Sequence, residues 1–325
     1  MHVVAAPDKF RGSLTAAQAA RAIAAGALAA GWTCRELPLA DGGEGTLDAL
    51  GGPNRTTRVT GPLGAAVDAG WRLDGESAVI EMARASGLSL AGGRLANDPV
   101  SATTRGTGEL IGAALAAGAR RIVVAVGGSA TTDGGLGAVE ALARHPFPDG
   151  VAVEVACDVE TSFVDAAAVF GPQKGATPEQ IERLTERLAE LAERYRAELG
   201  AEITALPGSG GAGGLAGGLA ALGARLRPGF ELVADALGLD GALAGADLVI
   251  TGEGLLDETS FAGKVVGGVI GRARGLSVPV AIVVGEARAE VSAGIRVVSL
   301  VERFGRARAW DEPGACVSEA TELLL

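Results

Sequence analysis

Short apolar runs rich in Val, Ile and Ala alternate along the chain with longer stretches whose apolar residues recur at helical spacing. That alternation predicts an α/β protein. Residues 2–6 read as a strand, a helix is expected from Thr15, and 33–37 read as a second strand. Thr15-Ala-Ala-Gln18 has the form of a capping box, so the loop 7–14 leads into a helix N-terminus. The last third repeats this style, with buried parallel strands expected at 247–251, 278–284 and 295–300 and a helix near 263–275.

The middle of the chain is patterned differently. Runs at 67–73 and 78–82 flank Asp74-Gly75, which predicts a hairpin and hence antiparallel pairing. A helix over 107–117 and strands at 121–126 and 151–156 follow. The longest helix is expected over 179–199, opened by Thr177, Pro178 and Gln180. Its apolar residues Ile181, Leu184, Leu188, Leu191 and Tyr195 form one stripe, and Glu179/Arg183 and Glu190/Arg194 form outward pairs. The expected organisation is a discontinuous parallel-sheet domain, 1–58 plus 240–325, carrying an inserted mixed-sheet α/β domain at 59–239.

Composition narrows the function classes. Thirty-nine acidic against 28 basic side chains leave a net charge of −11 with no basic stripe, which argues against nucleic acid as a partner. An acidic chain that binds an anion must do so locally, with placed Lys, Arg, metal or backbone N–H groups. Cys34, Cys157 and Cys316 are odd in number and widely spaced, which argues against a disulfide framework or a zinc site and suits a reducing, cytoplasmic setting. The uncharged stretch 203–224 contains Pro207 and eight glycines, so a glycine turn and a packed helix are expected there, not a membrane span. The 51 glycines of the chain are about twice the usual share. They cluster, and clustered glycine lets backbone N–H groups approach a ligand.

Six segments carry candidate chemistry. After the first strand, Asp8, Lys9, Arg11 and Ser13 converge on one short turn ahead of a helix N-terminus, where anions are favoured. After the second, Asp41 and Glu44 sit among three glycines and offer hard oxygen ligands. Gly127, Gly128, Ser129, Thr131, Thr132 and Asp133 form a glycine- and hydroxyl-rich loop able to cradle phosphate or carboxylate oxygens. Asp158 follows the strand at 151–156, and Lys174 lies in a Gly/Pro turn; Cys157, just before Asp158, reads as a small buried hydrophobe. Gly208, Gly210, Gly211 and Gly213 read as a phosphate-binding glycine turn, with close helix packing as the alternative. Finally, Glu253 and Asp257 are candidate metal or base groups, and Lys264 opens a helix, an unfavourable place for an ammonium unless an anion offsets it. No GxxxxGK[ST] string is present, which excludes an ordinary P-loop.

Taken in order, these segments resemble the type 1 glycerate kinases across nearly the whole chain. The matching strings include APDKFRGSLTA at 6–16, PLADGGEGT at 38–46, EMARASGL at 81–88, RGTGELI at 105–111 and GGSATTDGG at 127–135. They continue with ACDV at 156–159, VFGPQKGAT at 169–177, PGSGGAGG at 207–214 and ADLVITGEGLLDETSFAGK at 246–264. The resemblance implies a flavodoxin-like domain paired with a restriction-enzyme-like one, ATP and Mg²⁺ as cofactors, and D-glycerate as acceptor, with 2-phosphoglycerate favoured as product. Thr132 stands where the family commonly has Asn, and residues 143–150 look shortened.

In-line transfer of a γ-phosphoryl group needs neutralised phosphate oxygens, an aligned hydroxyl and a carboxylate to take its proton late. Lys9, Lys174 and Lys264 are expected to meet phosphate or carboxylate charge, Asp41, Glu44 and Glu253 to contact Mg²⁺ or substrate, and Asp133 or Asp158 to act as base. Arg84 and Arg105 are further carboxylate-clamp candidates. The alternatives are a kinase for a related small hydroxy acid and a nucleotide sensor without turnover. Small-molecule substrate and ATP are the expected partners, with no membrane and with room for a homo-oligomer.

Overall fold

The computed structural model describes residues 1–10, 12–261, 263–289 and 294–325. In chain order its strands begin with β1 (His2–Ala5), β2 (Thr33–Glu36), β3 (Arg55–Thr60), β4 (Ala66–Asp74) and β5 (Ser77–Glu81). They continue with β6 (Arg121–Ala125), β7 (Ala152–Ala156), β8 (Arg225–Arg227), β9 (Leu248–Leu256), β10 (Val280–Ala287) and β11 (Arg296–Ser299). The chain divides into two compact units: Met1–Asp41 with Asp48–Leu50 and Gly229–Leu325, and Gly42–Leu47 with Gly51–Pro228.

The first unit is built on a five-stranded sheet in the order β2-β1-β9-β10-β11, parallel throughout. Counted within this sheet alone the order is 2-1-3-4-5, that of the flavodoxin-like doubly wound fold. The apolar run of β1 faces two ways. Val3 and Ala5 pack in one core with Ile23, Val317 and Ala320, and Val4 and Ala6 in another with Phe230, Val265 and Val269. Burial on both faces is why this strand shows no polar alternation. On the first face, helices Ala16–Ala29 and Pro313–Leu324 approach so closely that a Cβ on Gly26 would lie 2.3 Å from the Ser318 carbonyl oxygen. Thr15 and Gln18 cap the first of these helices reciprocally, as the sequence predicts.

The second unit carries a six-stranded sheet in the order β3-β4-β5-β6-β7-β8. β3–β4 and β4–β5 pair antiparallel, whereas β5 to β8 run parallel. The predicted hairpin is present, with Asp74 paired to Ser77 and Gly75 at φ +55° in the turn. Its core joins Ile80, Met82, Leu110, Ile122, Val124, Val155 and Leu215. The amphipathic helix Pro178–Leu199 buries Leu184, Leu188, Leu191 and Tyr195 against Phe163. Two strands lie outside the sequence expectation, β3 and β8, and both are sheet edges. β3 therefore stays with the unit that pairs it, ahead of the join expected at 58/59, and the second changeover comes at 228/229 instead of 239/240.

Candidate active site

In an open parallel sheet, ligands bind beyond the carboxyl ends of the strands where the order reverses. In the first unit that point lies between β1 and β9. Three hydrogen bonds tie the two strand ends together: Ala6 N–H to the Ile250 carbonyl at 2.8 Å, Asp8 N–H to that of Gly252 at 2.8 Å, and Thr251 Oγ1 to that of Ala6 at 2.8 Å. Gly252 has no alternative side chain, since a Cβ there would lie 1.8 Å from the Val283 carbonyl oxygen. At this point opens a hollow of about 490 Å³ whose walls include Asp8, Lys9, Ser13, Asp41, Glu253, Asp257 and Lys264. Seven residues from three separate sequence segments are thus gathered at one place. Arg11, expected in the same turn, lies outside the described residues.

Charges inside the hollow are arranged in sequence. The Lys9 ammonium lies 3.9 Å from Asp8 Oδ1 and 4.0 Å from Asp41 Oδ1. Asp8 is buried and accepts the Lys9 backbone N–H at 2.6 Å. Glu253 is the most perturbed carboxylate. Burial pushes its pKa up to about 7, Asp8 and Asp257 push the same way, and Ser260 and Lys264 offset part of the rise. Its Oε1 is buried and has no hydrogen-bond partner among the described residues. Asp257 is held low, chiefly by the Thr259 hydroxyl, which donates at 2.6 Å. Lys264 donates to the same hydroxyl at 2.6 Å and stands at the N-cap of helix Val265–Gly275.

The second unit gathers the glycine loops. A Cβ on Gly127 would lie 2.6 Å from Gly43 Cα, so the loops 42–46 and 127–135 pack backbone to backbone. Glu81, at the end of β5 and only 2% exposed, accepts N–H groups from Gly45 at 3.1 Å and Leu47 at 3.3 Å. Arg84 Nε lies 3.8 Å from the same carboxylate. Sequence reasoning passed over Glu81, although a lone carboxylate ending an apolar run is the signal that marks it. Glu44 is exposed on its loop. Gly128 accepts the Leu88 N–H, and Ser129 is bridged to Gly87.

Asp133 is tied into the starts of two helices. Its Oδ2 accepts Thr104 N–H at 2.8 Å, Thr104 Oγ1 at 2.8 Å and Gly137 N–H at 3.2 Å, while Oδ1 accepts Gly135 N–H at 3.1 Å. Both oxygens are spent on the starts of helices Arg105–Ala116 and Leu136–Ala141. Lys174 is 2% exposed and donates to the Thr131 carbonyl oxygen at 2.6 Å. Burial lowers its pKa to about 7, with the Asp133 charge opposing the shift. Asn97 Nδ2 braces both sides, donating to the Ala130 carbonyl oxygen at 3.0 Å and to that of Lys174 at 2.9 Å.

Asp158 is exposed beyond β7, and the neighbouring Cys157 thiol is raised, first by burial. Arg105 is exposed and holds Glu109 at 3.1 Å, so its guanidinium serves its own helix. Gly210 and Gly211 give a correction. Both are buried, and their N–H groups donate to the Thr161 and Gly208 carbonyl oxygens at 3.0 and 2.9 Å. A Cβ on Gly213 would lie 2.0 Å from the Thr131 carbonyl oxygen. The turn is a packing device pressed onto the loop above it, with those two N–H groups already engaged.

A flavodoxin-order sheet with a charged hollow at its switch point, joined to a separate mixed sheet, defines a two-unit α/β enzyme. The glycerate kinase family model matches residues 3–150 and 143–324, and the chain belongs to that family of kinases. It is 42% identical over 323 residues to a glycerate kinase of Halalkalibacterium halodurans, covering 87% of this chain and 85% of that one. It is 39% identical over 327 residues to the glycerate 2-kinase of Escherichia coli K12, covering 86% and 84%. A crystal structure described as glycerate kinase 2 from Salmonella typhimurium LT2 superposes with a TM-score of 0.85 at 38% identity, covering 100% of this chain and 97% of that one.

Proposed function

We propose that this chain transfers the γ-phosphoryl group of ATP to D-glycerate and forms 2-phosphoglycerate. The observation that carries the reading is the hollow at the β1/β9 switch point, where two lysines and five carboxylates converge in a chain of the glycerate kinase family. The Escherichia coli relative bears the name glycerate 2-kinase, which favours the 2-hydroxyl.

Phosphoryl transfer asks the protein mainly for positioning and charge. Lys9 and Lys264, on opposite chain segments, neutralise phosphate oxygens. Asp41, held beside Lys9, takes the hydroxyl proton late in the step. A strong base is not needed for a transition state of that kind. Asp133 acts as a positioning residue through its hydrogen bonds from Thr103, Thr104, Gly135 and Gly137, and Glu81 does the same for the loop that follows Asp41.

The donor set fits Mg²⁺. Glu253 presents a buried oxygen with no hydrogen-bond partner among the described residues, and Asp257 a carboxylate kept ionised. Among the described residues no group of three or more acids, His or Cys is arranged to hold a metal. That suits an ion usually held by one or two carboxylates together with substrate phosphates. When bound, Mg²⁺ neutralises charge on the phosphates; Glu253 and Asp257 are the residues that would hold it.

Among the described residues no helix is long and apolar enough to cross a membrane, and a cytoplasmic setting is part of the proposal. Phosphorus NMR after incubation with D-glycerate, Mg²⁺ and ATP should give the 2-phosphoglycerate resonance. A 3-phosphoglycerate signal would overturn the regiochemistry, and faster turnover of another hydroxy acid would overturn the acceptor. Asp41→Asn should lower kcat by roughly 10²–10⁴-fold with little change in stability.

A further inference from the structure

The charged groups account for only one part of the hollow. Its wall also includes Leu300, Val301, Arg306, Ala309 and Trp310. Leu300 and Ala309 are buried and pack in the core beneath the sheet. Trp310 is not: this indole, on helix Arg306–Asp311, is 53% exposed. Its ring lies against Gly12, where an added Cβ would come within 3.5 Å of it. Gly12 belongs to the same loop as Lys9, so the aromatic surface and the phosphate-facing lysine are carried by neighbouring backbone. Arg288 and Arg306 both pair with Glu286, at 3.0 and 3.1 Å, and all three line the hollow.

A three-carbon hydroxy acid would fill a small part of about 490 Å³ and has no apolar face to set against an indole. A nucleotide has both a polyanionic end and a flat π-surface. Base stacking on aromatic side chains is a recurrent source of nucleotide affinity. We propose that Trp310 is the platform for the nucleobase of the phosphate donor, with the phosphates extending from there towards Lys9 and Lys264. This inference rests on the phosphotransfer reading but concerns different side chains of the same hollow. Because every base has a π-face, the indole supplies affinity and not selectivity for adenine.

Kinetics and binding test it separately. Trp310→Ala should raise KM for ATP about tenfold and leave kcat and KM for glycerate within about twofold, while Trp310→Phe stays within about threefold of the parent. Inorganic tripolyphosphate, which lacks a base, should compete with ATP equally well in the parent and in Trp310→Ala. An unchanged KM for ATP in Trp310→Ala, or tripolyphosphate weakened in parallel, overturns the proposal. Independently of turnover, Mg-ADP should quench part of the tryptophan fluorescence, and Trp310→Phe should abolish that quenching while Trp32 and Trp71 still emit. If the parent protein phosphorylates no glycerate yet shows this quenching, the phosphotransfer reading fails and the base platform stands. Absence of quenching in the parent removes the platform.

Discussion

Glu253 stands in a place that disfavours its charge, and the consequence is a definite dependence on pH. Its pKa in the folded chain is raised from 4.5 to about 7 by burial. The folded state therefore holds a proton that the unfolded state has released, and stability falls as pH rises through that interval. Glu253→Gln removes the titration. In Mg²⁺-free buffer the variant should gain in Tm relative to the parent between pH about 5 and about 8. A constant difference across that range would show that Glu253 ionises without penalty. Asp133 makes the opposite case, a carboxylate whose charge is fully used by N–H and O–H donors. In Asp133→Asn one of the two oxygens becomes an NH₂ group facing those donors. The variant should lose on the order of 3 kcal/mol of stability, with activity falling alongside it. A normal urea midpoint combined with a kcat lowered a hundredfold would instead restore Asp133 as the base.

At the scale of elements, glycine decides how closely the loops of the second unit can stack. Gly213 has φ +68° and meets the Thr131 carbonyl oxygen, whereas Gly223 has φ +98° and open space around it. Gly223→Ala should cost about 1–2 kcal/mol, the ordinary penalty of left-handed backbone. Gly213→Ala adds a backbone clash to the same penalty and should cost about 3 kcal/mol or more, read as a shift in urea midpoint at unchanged m-value. Equal costs would mean that the turn can move away from the loop above it. The strands β1, β9 and β10 were readable because each contains an unbroken apolar run, at 3–5, 248–250 and 280–284. β3, Arg-Thr-Thr-Arg-Val-Thr, was not, because as an edge it buries only Val59. β8 is three residues long with two arginines and carries no periodic signal. The glycine string at 207–214 was visible but ambiguous, since a phosphate cradle and a tight backbone contact ask for the same residue.

For the whole molecule, the two units differ in how the chain supplies them. All six strands of the mixed sheet lie within 51–228, whereas the parallel sheet takes β1 and β2 from one end of the chain and β9 to β11 from the other. A fragment spanning 42–228, which keeps the loop that pairs with Glu81, should therefore fold cooperatively, with Trp71, its sole tryptophan, retaining the blue-shifted emission of a buried indole. A fragment ending at 228 should leave Trp32 in solvent-like surroundings, because β1 has lost its β9 neighbour. Red-shifted Trp71 emission in the first fragment would mean that the mixed sheet depends on the other unit.

Local chemistry along the chain was enough to determine the α/β class, the capped helices and the loops that bear charge, because periodicity, capping and glycine content act over a few residues. Family membership was legible in the same strings. What only the tertiary structure decided is which of those loops meet. Ala6 and Thr251 are 245 positions apart and share a hydrogen bond, and no short-range pattern encodes that pairing. The same holds for Asp133, whose partners Thr103 and Thr104 come from another helix start, and for Trp310, brought by a C-terminal helix against Gly12. Contacts of that range are set by the packing of whole elements, and the roles of side chains follow from them.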